Sequence, residues 1–255
     1  MKNQLIKILI LNTMTLFVFS IVFTKSNAQS VKVDAKQKPF FYLSAAYVAS
    51  NNNNHVTGDP FFSKNRYFEP NRTVRADVGI QFNNRISVEA GYMRMPLEIG
   101  HSLDINDRGI SNGNASYTRI SFYSIRLKHG IHLLKNKLLL KTGLGYALGK
   151  SGLTFEQLGP STPVTDISFG HEIVTSRVLR RLHTGNSNFL AFDIGLEINA
   201  SKNFAFFINY SMYNGFNDLM EETIEYRING LDGTFRSTAD GSFKGYELGL
   251  KFNFR

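Results

Sequence analysis

Eight stretches of the chain alternate between apolar residues and polar or small ones. In the first, Phe41, Leu43, Ala45 and Tyr47 share a face. In the second, Val74, Ala76, Val78, Ile80 and Phe82 stand against Arg75, Asp77, Gly79 and Gln81. The third sets Ile86, Val88, Ala90 and Tyr92 against Ser87, Glu89 and Gly91. The fourth sets Tyr123, Ile125 and Leu127 against Ser124, Arg126 and Lys128. The fifth runs from Leu138 to Leu148 over Lys141, Gly143, Gly145 and Ala147, and the sixth from Leu190 to Ile198 over Asp193, Gly195 and Glu197. The seventh runs from Phe204 to Met212, with Phe207 breaking its polar face. The eighth runs from Tyr246 to Phe254 over Glu247, Gly249, Lys251 and Asn253. A period of two is the signature of strands with two unlike faces.

A soluble sandwich also alternates, so the connections matter. Asn83-Asn84, Lys135-Asn136 and Ala200–Asn203 make tight turns, while 50–72, 94–116, 150–188 and 214–243 make long loops. Short turns on one side and long loops on the other is the layout of a membrane barrel. The apolar face is also sorted by height. Phe41, Phe82, Phe204, Phe252 and Phe254 fall near the tight turns, and Tyr47, Tyr92, Tyr146, Tyr210 and Tyr246 toward the long loops. From Phe254 to Tyr246 the height is on the order of 20 Å, close to the apolar band of about 25 Å that such barrels present to lipid. A soluble core has no reason to sort Tyr from Phe.

The opposite face is rich in Gly and balanced in charge. Asp77, Glu89, Asp193, Glu197 and Glu247 point inward by parity, as do Arg75, Arg85, Arg126, Lys128, Lys141 and Lys251. Charges in a narrow lumen must be paired, so ion pairing is expected, with Arg85 and Lys128 at the wet rims. A two-residue turn at Lys135-Asn136 sets Leu127 opposite Leu144 and Ile125 opposite Tyr146. It also sends His129 to the lipid face opposite Thr142, which requires a membrane boundary above it or a bulge near it.

Residues 1–28 read as a secretory signal, leaving 29–255 as one domain. Lys2 and Lys7 precede an apolar stretch ending near Phe23, and Ser26-Asn27-Ala28 supplies small residues for cleavage before Gln29. Removing the signal with its three lysines takes the net charge from +9 to +6. That excess is moderate and is not a nucleic-acid footprint. No later apolar run reaches the roughly 18 residues of a membrane helix. The missing Cys excludes disulfides, thiolate metal sites and a cysteine nucleophile. Aromatics make up 13% of the chain although its mean hydropathy is slightly negative, as strands between an oily and a wet surface require. The expectation is an all-β, eight-stranded antiparallel up-and-down transmembrane barrel with both termini on the tight-turn side.

Glu247, Gly249, Phe252 and Phe254 resemble the last-strand signal read by the bacterial barrel-assembly machinery, with Arg255 as one extra trailing residue. The whole chain after residue 28 resembles the small outer-membrane barrels that include the OmpA transmembrane domain and the OmpX/Ail-like proteins. Its Gly-rich lumen strands and Asn-rich loops resemble the PorT-like barrels of Bacteroidetes. The resemblance implies the outer membrane as location. It implies outer-membrane lipid, lipopolysaccharide and the assembly machinery as partners, with room for an envelope protein. It implies anchoring, adhesion or membership of an assembly, and no catalytic motif; a narrow channel or a carrier of a small hydrophobic molecule is the alternative.

Enzyme signals are weak. A lipid A deacylase of the barrel type uses a lipid-facing His-x-Ser-Asn; here His183 lies four residues before Ser187. Four strand residues span roughly 13 Å, too far for a base and its nucleophile. No metal-ligand spacing and no cofactor motif occurs. Arg177, Arg180 and Arg181 form a basic run suited to the phosphates of lipopolysaccharide.

Overall fold

A computed structural model describes residues 38–56, 61–64, 71–82, 85–105, 108–134, 137–151, 156–158, 163–168, 170–182 and 186–254. The expected signal at 1–28 lies outside the described residues, as do Asn83-Asn84, Lys135-Asn136, His183 and Arg255. The strands are β1 (Phe40–Val56), β2 (Phe62–Lys64), β3 (Asn71–Gln81), β4 (Ile86–Ile105), β5 (Arg108–Leu134), β6 (Leu138–Ser151), β7 (Glu156–Leu158), β8 (Val164–Ser168), β9 (His171–Leu182), β10 (Asn186–Asn199), β11 (Phe204–Gly215), β12 (Met220–Ile228) and β13 (Leu231–Phe254).

Eight of these close a ring in the order β1, β3, β4, β5, β6, β10, β11, β13, and β13 pairs back onto β1. Every pairing in the ring is antiparallel. The eight alternating stretches of the sequence are the eight walls of this barrel. Leu127 faces Leu144 and Ile125 faces Tyr146, the register that the apolar pattern predicts. His129 pairs with both Thr142 and Ile86, and the amide of Gly130 donates to the carbonyl of Arg85. His129 therefore lies level with the β3–β4 turn at the low end of the barrel. The break in register falls later, between His132 and Leu134.

The outer wall is oily. Val74, Ile125 and Leu248 are 64%, 66% and 64% exposed, which a water-soluble monomer does not tolerate in a continuous belt. Phe41 pairs with Phe254 and Phe204 with Phe252 along the lower edge. Tyr210 packs beside Tyr246 and Tyr92 beside Tyr123 along the upper edge, each pair with ring centroids 5.3 Å apart.

Above the Tyr row the structure departs from the long loops expected at 50–72, 94–116, 150–188 and 214–243. Much of those segments is strand. β4 and β5 continue to Ile105 and from Arg108, so β5 alone has 27 residues. β13 starts at Leu231 and pairs with β12 across an Asn229-Gly230 turn. Both turn residues have positive φ, 51° and 81°, the two-residue geometry for which Gly is suited and Asn tolerated. β9 adds to β12, β7 and β8 add to β9, and β2 adds to β4.

The reason is a reversal of hydrophobic phase at the Tyr row. Below it apolar residues point outward; above it they point inward. Adjacent apolar pairs mark the crossing: Tyr47-Val48, Tyr92-Met93, Phe122-Tyr123, Phe189-Leu190 and Met212-Tyr213. Alternation thus continues upward as ordinary water-soluble strand, with its oily face turned to a core. A second apolar cluster sits farther out, where Phe62 of β2 packs on Tyr226 and Phe235 beside Ile173, Ile224 and Ile228.

Glycine sets the bore of the lower wall. A Cβ on Gly145 would stand 2.3 Å from the Ile125 carbonyl oxygen and 2.4 Å from Cγ of Arg126. Gly145→Val should lower the stability in detergent micelles by ~1–3 kcal/mol. Gly130→Ala, whose Cβ meets nothing nearer than 3.5 Å, should change it by less than about 0.5 kcal/mol. Urea unfolding followed by circular dichroism compares the two; equal midpoints would show that the wall has room to spare.

Candidate functional site

The lumen is filled from bottom to top by side chains of its own wall. At the bottom, Lys141 Nζ donates to Glu197 at 2.6 Å, and Lys251 Nζ reaches the same carboxylate at 3.3 Å. The Lys251 ammonium also lies 4.0 Å from the centre of the Tyr42 ring, a cation–π contact. The Tyr42 hydroxyl donates to Glu89 at 2.7 Å and so ties this group to the next layer.

That layer is a single network. Arg75 donates to Asp77 at 2.9 Å and to Glu247 at 2.5 Å. Arg126 donates to Asp77 at 2.7 Å, Glu89 at 2.8 Å and Asp193 at 3.3 Å. Lys128 sits 2.8 Å from Glu89 and 3.4 Å from Asp193. The nine residues expected to pair by parity, Arg75, Asp77, Glu89, Arg126, Lys141, Asp193, Glu197, Glu247 and Lys251, all lie buried in these contacts. Lys128, expected at a wet rim, is buried among them instead. Its strand position is inward, and two carboxylates within 3.4 Å hold it there. Arg85 is half-buried at the turn side. Five bases therefore face five acids. In a low-dielectric interior this balance is required, because one unpaired charge costs several kcal/mol.

Six strands contribute, each at alternate positions. The space comes from glycine: Gly143 pairs across from Asp193, and a Cβ there would stand 2.5 Å from the carboxylate oxygen. Between the two layers remains a void of about 10 Å³, lined by Ser44, Asn209, Phe207 and the charged groups. That is room for about one water molecule.

The upper lumen is apolar, which parity on the outward face does not reveal. Phe122, Phe189, Tyr213 and Phe243 stack across it, Tyr213 and Phe243 with centroids 4.4 Å apart and planes 14° from parallel. Met93, Met95, Leu97 and Ile99 of β4 close over them with Leu182 and Met220. The signal for this plug lies in the adjacent apolar pairs at the Tyr row.

Outside, the basic run is a strand, not a loop. Arg177, Arg180 and Arg181 lie on β9 opposite Glu225, Glu222 and Glu221 of β12. Arg180 donates to the fully buried Glu222 at 2.6 Å, and Arg177 stands 4.0 Å from Glu225. Arg236 reaches Glu221 at 3.2 Å. Each of the three arginines thus stands across the ladder from an acid of β12. At the tip, Arg227 donates to Asp232 at 2.7 Å. That hydrogen bond, then the charge, holds the carboxyl below its ordinary pKa; both groups are exposed, so the pair adds little stability.

Ser187 faces the lumen across from Gly149 and is 1% exposed, so it is turned away from the outer face; His183 lies outside the described residues. In the assembly-signal stretch, Glu247 holds Arg75, Gly249 leaves space for the Phe207 ring, and Phe252 and Phe254 join the lower aromatic row. Among the described residues no three His, Asp or Glu side chains come together as a metal site.

No protein-family model matches the sequence, and no curated protein matches it. Solved structures do. The outer membrane protein OprG from Pseudomonas aeruginosa superposes with a TM-score of 0.52 at 9% identity, over 86% of this chain and 97% of that one. A major outer membrane protein from Thermus thermophilus gives 0.47 at 9% identity, over 86% and 100%. Ail, the attachment invasion locus protein of Yersinia pestis, gives 0.41 at 14% identity, over 86% and 100%. The likeness to OprG shows the fold, a closed eight-stranded antiparallel barrel.

Arg126 is the pivot of the network, so Arg126→Met should cost about 3–5 kcal/mol by leaving Asp77, Glu89 and Asp193 under-compensated. Adding Asp193→Asn should restore part of that loss. Urea midpoints of the single and double variants measure the coupling; a double variant weaker than the single would show that the two side chains do not compensate each other.

Proposed function

We propose that this chain is an outer-membrane barrel protein whose task is structural or interactive and is carried out by the sheet that stands above the Tyr row. It is delivered through a cleaved signal at 1–28 and inserted with its tight turns toward the periplasm. The observation that carries this reading is the combination of an oily outer belt with a sealed bore. The belt, edged by Phe below and Tyr above, suits a lipid surrounding. The bore is closed twice, by ion pairs and by stacked rings, so the barrel serves as a mount and not as a passage. What remains to meet a partner is the external part of the sheet, β12–β9 with β7 and β8, and the β4–β5 extension with β2.

A lipid A-modifying activity is the second reading. It needs a lipid-facing Ser beside a base, and the inward position of Ser187 removes that Ser from the outer face. A channel needs a continuous path, and the void between the charged layers holds about one water.

The expected outcome is recovery in the outer-membrane fraction and a heat-modifiable shift on gels. A soluble periplasmic protein would end the proposal. In planar bilayers the refolded chain should be electrically silent; steady conductance steps would transfer the role to a pore. Lipid A from cells with and without the protein should carry the same acyl chains, and a difference would revive the enzyme reading.

A further inference from the structure

Each of the three tight turns, and the seam where β1 meets the end of β13, carries a cation. Arg85 stands at the β3–β4 corner, Lys137 at β5–β6 and Lys202 at β10–β11. Lys38 precedes β1, where β1 meets the end of β13. Lys38, Lys137 and Lys202 are exposed and Arg85 is half-buried. No Asp or Glu occurs in 38–41, 81–87, 129–138, 198–204 or 253–255, and the sequence places Lys135 and Arg255 in the same segments. Elsewhere charge is balanced. The lumen has five bases and five acids. The long connections, 49–73, 93–122, 149–188 and 213–245, carry 13 bases and 14 acids. Among the described residues, the cations left over from this balance, Lys38, Arg85, Lys137 and Lys202, stand at one end.

We propose that this rim binds the acidic headgroups of anionic phospholipids in the leaflet that faces the tight turns. The inference rests on the membrane reading above and goes beyond it by naming the lipid class. Two features favour lipid over a single polymeric ligand. The cations are spread one to a corner around the ring, as an annulus of small separate ligands requires. Each also lies within four residues of exposed apolar side chains: Arg85 of Phe82 and Ile86, Lys137 of Leu134, Lys202 of Phe204 and Ile198, Lys38 of Phe41. A basic group just outside an oily surface complements a lipid, which carries its acid just outside its own tails.

Spin-labelled lipids in vesicles test this. The chain is refolded into phosphatidylcholine vesicles holding a trace of spin-labelled phosphatidylglycerol or phosphatidylcholine, and the motionally restricted fraction of each is read by electron paramagnetic resonance. Selectivity for phosphatidylglycerol of about twofold or more is expected at low salt, falling toward unity in about 1 M salt. The combined variant Lys38→Gln, Arg85→Gln, Lys137→Gln and Lys202→Gln should lose it. Lys38→Arg, Lys137→Arg and Lys202→Arg together should keep it, as should Arg177→Gln with Arg236→Gln at the other end. Should the combined Gln variant fail to fold, the salt titration of the unaltered chain decides.

Insertion is checked in the same vesicles by the heat-modifiable shift. A chain that does not insert overturns the membrane reading together with this inference. An inserted chain without selectivity, or with selectivity untouched by the Gln changes, overturns the inference alone. Binding to peptidoglycan sacculi that the Gln variant loses, without lipid selectivity, would give the rim to an acidic polymer and would also overturn it.

Discussion

Closing a sheet on itself removes its edges, and the rest of this structure follows from that closure. Once β13 pairs with β1, no strand of the ring has an unpaired flank, and no further backbone is needed to complete the fold. The ring then encloses an interior only as wide as side chains. Whatever the inward positions carry must fill that space and satisfy itself there. The lower half meets the demand with charge: five bases and five acids, with glycines across from the bulkiest of them. The upper half meets it with stacked rings. The two solutions differ in chemistry and agree in effect, since each fills its half of the bore with side chains of the wall.

The outer wall is governed by a second condition, the medium around it. Below the Tyr row the apolar residues face out, and above it they face in. Strands such as β4, β5 and β13 run through both zones without interruption, so the reversal is written into single continuous strands. A residue pair such as Tyr92-Met93 puts one ring on the outside of the belt and one thioether over the plug. The same chain therefore reads as membrane wall for about ten residues and as soluble sheet after that.

Much of this is legible in the alternation. The eight walls, their register at Leu127–Leu144, and the inward set of ions are consequences of parity, and parity is local. The plug and the external strands are harder to read, because alternation on the outward apolar face stops at the Tyr row. Met93, Met95, Leu97 and Ile99 alternate as cleanly as Ile86, Val88, Ala90 and Tyr92, but in the opposite phase. A change of phase looks like the end of a strand when one face is tracked. Lys128 departs from its expected rim for a related reason: parity gives the side of the wall but not the depth, and depth decides between a rim in water and a network of carboxylates. The partners of Arg177, Arg180 and Arg181 depend on β9 lying beside β12, a pairing between segments some forty residues apart that no local pattern announces.

Continuity between wall and external sheet bears on how such a surface works. β13 runs from the Phe row to the Asn229-Gly230 tip, with a single positive-φ residue at Gly241 along the way. β4 and β5 rise together with only Asn106 and Asp107 between their upper ends. The buried Arg180–Glu222 pair and the Phe62–Tyr226–Phe235 cluster then tie the added strands to that frame. In its described strands, the backbone of such a surface is already held by ladder hydrogen bonds and these contacts. Binding to it need not lose much conformational entropy, so fewer favourable contacts suffice for a given affinity. A mobile loop crown over an open pore would have to order itself on binding and would need more of them. The filled bore and the paired external strands are thus two aspects of one arrangement, in which the same strands form the barrel wall and carry the sheet above it.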